Sequence, residues 1–137
     1  MQSSILVTGA AGYIGSHCAK LLIEEGFNVT VIDNLSLGHL GAIKALEGVA
    51  ARESVSFKFY ETDITNSAHV FNENKIDAVV HFAAFSQVGE SVIDPLKYYI
   101  NNTAKTAMFL REMLNAGVKK IVFSSTAAVY GEPEEMP

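Results

Sequence analysis

Three glycines, Gly9, Gly12 and Gly15, stand between two stretches of different period. Before them, Ser4–Thr8 is a short apolar run that suits a buried strand. After them, Ile14, Cys18, Leu21, Leu22 and Glu25 recur at a helical period, with the apolar groups on one stripe. Gly26 then falls where a left-handed residue closes a helix. Glycine is required where a backbone must approach another group closely, because any side chain would fill that space. A strand that turns through glycine into a helix also aims backbone N–H groups and the positive end of the helix at one point, which is a seat for an anion. The spacing is Gly-x-x-Gly-x-x-Gly, looser than Gly-x-Gly-x-x-Gly, and the strand before it and helix after it give it meaning.

The same alternation continues along the chain. Val29–Ile32 reads as a second strand ending in Asp33, and Ala42–Glu47 as a weaker helix between Gly41 and Gly48. Val55–Tyr60 reads as a third strand, and Asn66–Asn74 as a short helix that Asn66 or Ser67 would cap. Ala78–Phe82 is a fourth strand. Pro95 then sits where a first helical turn tolerates it. Leu96, Tyr99, Ile100, Thr103, Ala107, Leu110 and Leu114 mark one face of a long helix closed by Gly117. Lys120–Ser124 is a fifth strand, and 131–137 reads as a mobile acidic tail.

Strands alternating with helices imply a parallel sheet covered on both faces, with right-handed crossovers. The expected fold is α/β: a three-layer, doubly wound Rossmann sheet of five strands in the order 3-2-1-4-5. Its crevice would open between strands 1 and 4 at their carboxyl ends.

Composition removes several classes of function. The 137 residues carry a formal charge of −5, and no Lys/Arg cluster offers a patch for nucleic acid. Cys18 is the only cysteine, so neither a disulfide framework nor a zinc spacing is present, and no pair of histidines has metal-site spacing. Polar residues interrupt every apolar run well short of the roughly 20 needed to span a membrane. The amino-terminal Met1-Gln2-Ser3-Ser4 has no signal-peptide pattern. We therefore expect a cytoplasmic protein with no metal. His17 reads as a helix residue near the turn, His39 and His69 as exposed, and His81 as a hydrogen-bonded core residue. Met108 and Met113 read as core or interface filler.

Asp33 lies 18 residues beyond Gly15, at the end of the second strand. A carboxylate there accepts hydrogen bonds from ribose hydroxyls and repels a 2′-phosphate. The following Asn34-Leu35-Ser36 offers no arginine to hold that phosphate, so NAD is expected over NADP.

Together, Thr8-Gly9-Ala10-Ala11-Gly12-Tyr13-Ile14-Gly15-Ser16-His17 and Asp33-Asn34-Leu35-Ser36 resemble the extended short-chain dehydrogenase/reductase superfamily. His81-Phe82-Ala83-Ala84, Val88-Gly89-Glu90-Ser91, Tyr98-Tyr99, Asn101-Asn102 and Phe123 through Gly131 are similar to its UDP-glucose (UDP-galactose) 4-epimerase branch. The resemblance runs the length of the chain and implies roles for its residues. Gly9, Gly12, Tyr13, Ile14 and Gly15 would line the pyrophosphate. Asp33 and Asn34 would hold the adenosine ribose, and Asp63 and Ile64 would meet the adenine. Phe82, Ala83 and Ala84 would pass beneath the cofactor, with Asn101 near it and Ser124 close to the nicotinamide. Thr126 would hydrogen-bond the sugar hydroxyl being oxidised.

In that branch a tyrosine takes the proton from the sugar 4-OH, NAD holds the hydride, and the 4-keto sugar turns over before accepting it back. A nearby lysine tunes the tyrosine. No tyrosine in this chain has a lysine four positions on; Tyr130, for example, is followed there by Glu134. Ser86 stands where many members have a lysine. We therefore expect residues 1–137 to be an incomplete NAD-binding domain, truncated after strand five, with the substrate domain elsewhere and no turnover by itself. The parent enzyme would act on a UDP-sugar. An open fifth strand implies self-association into a homo-oligomer. Two other readings remain: part of a nucleotide-sugar dehydratase or reductase, and a non-catalytic NAD-binding module. Val88-Gly89-Glu90-Ser91 favours the epimerase over the dehydratases.

Overall fold

The computed structural model describes residues 2–131, so all of the expected mobile tail except Gly131 lies outside the described residues. The elements are β1 (Ser4–Thr8), α1 (Tyr13–Glu24), β2 (Asn28–Asp33), α2 (Leu40–Glu53), β3 (Phe57–Glu61), α3 (Ala68–Glu73), β4 (Ala78–His81), α4 (Val88–Ile93), α5 (Pro95–Tyr98), α6 (Lys105–Asn115) and β5 (Ile121–Phe123). Short 3₁₀ turns cover Ile64–Asn66 and Ala127–Tyr130, and a π-helical segment, Tyr99–Ala104, joins α5 to α6. The five strands pair in the order β3-β2-β1-β4-β5, all parallel. The expected sheet order is the observed one.

Alternation along the strands divides the core. Ile5, Val7, Val29 and Val31 face one side, where they pack with Ala19 and Ile23 of α1 and Ile43 and Leu46 of α2. Leu6, Ile32 and Val79 face the other, against Val70 and Phe71 of α3 and Phe109 and Met113 of α6. Strand side chains point alternately to opposite faces, so a strand covered on both sides is apolar throughout. That is why β1 carries the continuous apolar run Ile5–Val7 and β2 is apolar on both faces apart from the buried Thr30.

Several expectations about the helices are corrected. In α1 the buried residues are Gly15, Ala19 and Ile23, while Ile14 and Leu21 are 62% and 57% exposed. The small residues face the sheet because Gly15 is pressed against the β1 turn. A Cβ there would lie 2.2 Å from the Gly9 carbonyl oxygen. Gly26 does close α1, at φ +83°. Helix α2 runs through Gly41 and Gly48, because burial of Ile43, Leu46, Val49 and Ala50 outweighs about 1 kcal/mol of helix propensity lost per glycine. The third strand begins at Phe57, not Val55, whose N–H still bonds to Ala50 O below α2.

The helix expected at Asn66–Asn74 is divided. Asp63 caps the 3₁₀ turn by accepting from Thr65 N–H, and α3 starts at Ala68. Ser67 holds the N-cap position but makes no side-chain cap bond, because the preceding turn leaves it in helical rather than extended backbone. Its buried Oγ has no partner among the described residues.

The long helix shows the largest departure. Leu96, Tyr99, Ile100 and Leu114 are exposed, and the core takes Thr106, Phe109 and Met113 instead. Of the expected stripe only Leu110 packs partly against the core. Within α6 the buried face lies one residue before the expected Ala107, Leu110 and Leu114, and α5 and the π segment bury no residue. Met113 is core as expected, and Met108 is exposed.

Candidate functional site: a cleft across the strand ends

The carboxyl ends of β1, β2, β3 and β4 frame a shallow cleft that is open to solvent. It is lined by Gly9 and Gly12, by Asp33, Asn34 and Gly38, by Asp63 and Ile64, by Phe82–Phe85, and by Asn101, among others. This is the crevice expected at the point where strand order reverses, with β2 and β3 to one side of β1 and β4 to the other.

The glycines divide the work. Gly9 is left-handed at φ +74°, and its N–H donates to Ile32 O at 2.9 Å. A Cβ on it would lie 2.7 Å from Ala83 N. Gly9 is thus demanded by packing between β1 and the β4 exit, and Gly15 by packing against Gly9. Gly12 differs. A Cβ there would meet nothing nearer than the Gly9 oxygen at 3.4 Å, and its φ is an ordinary −83°. Space above Gly12 is open to the cleft. Among the described residues no side chain caps α1, which leaves the first N–H groups of the helix without a side-chain partner there. Tyr13 and Ile14 are exposed on that first turn and do not line the cleft, and Gly15 is buried beneath it.

Asp33 is buried at the end of β2. Its Oδ2 accepts from Ala11 N–H at 2.9 Å and its Oδ1 from Leu35 N–H at 2.8 Å. The carboxylate therefore ties the glycine turn to the loop after β2, and each oxygen keeps a further acceptor direction. Asn34 accepts from Ser36 N–H through Oδ1 and donates through Nδ2 to Asp63 Oδ2 at 3.2 Å. Lys105 donates to the same Asp63 oxygen at 2.6 Å. Burial alone would raise the Asp63 pKa, but the Lys105 ammonium and the Thr65 hydrogen bonds outweigh it and hold the carboxyl below its usual range. Asp63 is thus kept ionised and able only to accept.

On the β4 side, Phe82 N–H donates to Thr8 O and Ala83 N–H to Thr8 Oγ1 at 3.3 Å. Thr8 Oγ1 stands 2.7 Å from His81 Nδ1, and His81 Nε2 stands 3.2 Å from Thr106 Oγ1. The His81 ring stacks between Phe109 and Phe123, at 5.4 and 5.5 Å between centroids. Burial lowers its pKa to about 4, so it is a neutral core residue, as the sequence implied.

Ser124 and Thr126 are not brought into this cleft. Ser124 follows β5, with its N–H on His81 O, and is exposed. Thr126 accepts from Ala128 N–H through Oγ1 at 3.2 Å and is exposed on the last turn. Sequence reasoning missed Lys105, which sits in a helix 42 residues from Asp63, and Thr8, which looks like any strand residue. It also missed Gly38, where a Cβ would lie 2.5 Å from Ala11 Cβ. An isolated glycine just after β2 was the available signal.

A parallel sheet in this strand order, with helices on both faces, defines a doubly wound α/β protein of the Rossmann type. The family described as GDP-mannose 4,6 dehydratase matches residues 6–137, and the chain belongs to it. The chain is 49% identical over 136 residues to the probable UDP-arabinose 4-epimerase 3 of Arabidopsis thaliana, covering 97% of this chain and 33% of that protein. It is 49% identical to the UDP-glucose 4-epimerase of Halalkalibacterium halodurans, covering 98% of this chain and 38% of that one. Among solved structures, UDP-glucose-4-epimerase from Stenotrophomonas maltophila, with bound NAD and formylated UDP-arabinopyranose, superposes with a TM-score of 0.88. The identity there is 37%, over 99% of this chain and 40% of that one. The chain thus spans between a third and two fifths of the length of these relatives.

Proposed function

We propose that the chain is the NAD-holding part of a nucleotide-sugar 4-epimerase that interconverts UDP-glucose and UDP-galactose. The observation that carries this is the open space above Gly12 at an uncapped helix end, inside a cleft that a dinucleotide would cross. A diphosphate fits it, because backbone N–H groups and a helix N-terminus suit that charge without a side chain. Gly9, Gly12, Tyr13, Ile14 and Gly15 would form the pyrophosphate turn. Asp33 and Asn34 would hold the adenosine ribose, and Asp63 and Ile64 the adenine. Phe82, Ala83, Ala84, Asn101 and Ser124 would serve the nicotinamide half. Thr126 would hydrogen-bond the sugar. When bound, NAD supplies the hydride acceptor; the residues here bind, orient and exclude water. The absence of any Tyr-x-x-x-Lys pair supports binding without turnover by this chain alone.

The family's description favours a second reading, a nucleotide-sugar dehydratase, while Val88-Gly89-Glu90-Ser91 and the epimerases among the relatives favour the first. We also propose that the chain forms a homo-oligomer, supported by the exposed apolar face of β5, and that it works in the cytoplasm on the sequence grounds above.

Titration with NAD by calorimetry, beside an epimerase assay on UDP-galactose, tests the main reading. Binding without turnover supports it. No binding rejects a preformed cofactor half-site, and turnover rejects the claim that the chemistry is incomplete.

A further inference from the structure

The loop that leaves β4 is pinned at Phe85. Asn102 Oδ1 accepts from Phe85 N–H at 2.9 Å, and Asn102 Nδ2 donates to Phe85 O at 2.8 Å. One carboxamide thus satisfies both backbone groups of a single residue, as a neighbouring strand would. Asn101 Nδ2 donates to Asn102 Oδ1 at 3.0 Å, which fixes the orientation of that carboxamide. The ring of Phe85 is held as well, edge-on to Tyr98 at 5.8 Å with Lys97 Nζ 5.1 Å from its centroid.

Both asparagines lie in the π segment Tyr99–Ala104. Asparagine is a poor choice inside a helix, and a π turn is rare. Two locally unfavourable choices at one place, joined to the same loop, indicate selection for something other than helix stability. The wider turn separates successive side chains by less than the ~100° of an α-helix. Asn101 can therefore line the cleft while its neighbour Asn102 grips the loop that forms the cleft floor.

We propose that Asn102 is a positioning residue: by clamping Phe85 it fixes the Phe82–Phe85 floor beneath the half of the dinucleotide farther from Asp33. The inference rests on the cofactor reading above. The adenosine half would meet residues at the ends of β2 and β3, and none of these belongs to the clamp. Loss of the clamp therefore weakens ligands that reach the β4 side and spares those that do not.

The test compares NAD with ADP by calorimetry, for the unmodified chain, Asn102→Ala and Asn102→Asp. The aspartate keeps the acceptor and loses the donor to Phe85 O, and it serves if the alanine variant does not fold. The expected result is about a tenfold loss of NAD affinity, the net worth of a hydrogen bond, with ADP affinity within about twofold. Equal losses for NAD and ADP, or no loss for either, would overturn the proposal. Hydrogen exchange at the Phe85 amide without ligand is the second readout. It should speed up in the variants while the Gly9 amide keeps its protection. Unchanged exchange at Phe85 rejects the clamp whether or not NAD binds. Failure of NAD to bind the unmodified chain, with fast exchange still confined to the Phe85 loop in the variants, rejects the cofactor reading and leaves the clamp standing.

Discussion

Lys105 Nζ lies 2.6 Å from Asp63 Oδ2, so the first residue of α6 is tied to the residues just after β3. The pair is partly buried, with side chains 30% and 22% exposed. The Asp63 carboxyl is depressed from its ordinary 3.8, so its contribution to stability is complete above that value and fades as pH falls through the folded value. Lys105→Met keeps the alkyl stem and removes the charge. It should cost about 1 kcal/mol at neutral pH, and the cost should close at acid pH as Asp63 protonates. Urea denaturation across that range measures it, and a penalty independent of pH would rule out the ion pair as the cause.

Gly12 and Gly15 should respond differently to alanine. At Gly15 the added Cβ would lie 2.2 Å from Gly9 O, where only backbone can give way, so Gly15→Ala should destabilise the fold by roughly 1–3 kcal/mol. At Gly12 the nearest atom is 3.4 Å away, so Gly12→Ala should change stability by less than about 1 kcal/mol while NAD binding falls sharply. Thermal melts beside calorimetry separate the two effects. A Gly12→Ala chain that binds NAD normally would remove that glycine from the proposed seat.

His81 gives the protein a pH dependence of defined sign. Its folded pKa is about 4 against an ordinary 6.5, so between these values the unfolded chain holds more protons and stability rises with pH. The contribution approaches ~1.4 kcal/mol per pH unit. In His81→Leu the slope of unfolding free energy over this window should flatten by up to that amount. An unchanged slope would assign the dependence to other groups.

Gly48 is exposed inside α2, and a Cβ there meets nothing within 4 Å. Gly48→Ala should therefore raise stability by about 0.5–1 kcal/mol. A lower denaturation midpoint would mean that the helix backbone at Gly48 is not as open as its surroundings indicate.

Val122 is 65% exposed on β5. If that face mediates the proposed self-association, Val122→Lys should shift sedimentation towards the monomer at a given concentration. The same distribution for both chains would place the contact elsewhere or nowhere.

The sheet was legible because each strand carries its own local signal. β1 and β2 are apolar runs closed by a glycine turn and by Asp33, and parallel connection through helices leaves few orders to choose from. Part of the cleft lining was legible too: the glycine turn and Asp33 follow from the end of β1, the start of α1 and the end of β2, while Asp63 and Ala83 were reached only through the family resemblance. Helix faces were not. In α1 the hydrophobic stripe pointed to Ile14 and Leu21, but contact between Gly15 and Gly9 turns the small residues inward. In the long helix the expected stripe ran through Ala107, Leu110 and Leu114, whereas the packing buries Thr106, Phe109 and Met113 and leaves Leu96, Tyr99 and Ile100 exposed. Lys105 and Asn102 were invisible because their partners, Asp63 and Phe85, are joined to them only by the folded chain.

Gly9 has a consequence for what the cleft can recognise. Its N–H is committed to β2 and its Cα is pressed against the β4 exit, so the turn has no freedom to reshape around a guest. The entropy of arranging that turn is spent when the sheet forms, before any ligand arrives. A cradle of fixed span measures its occupant. If the proposed dinucleotide lies there, such a cradle would favour a bridge of one length between the two nucleoside halves over a shorter or longer one.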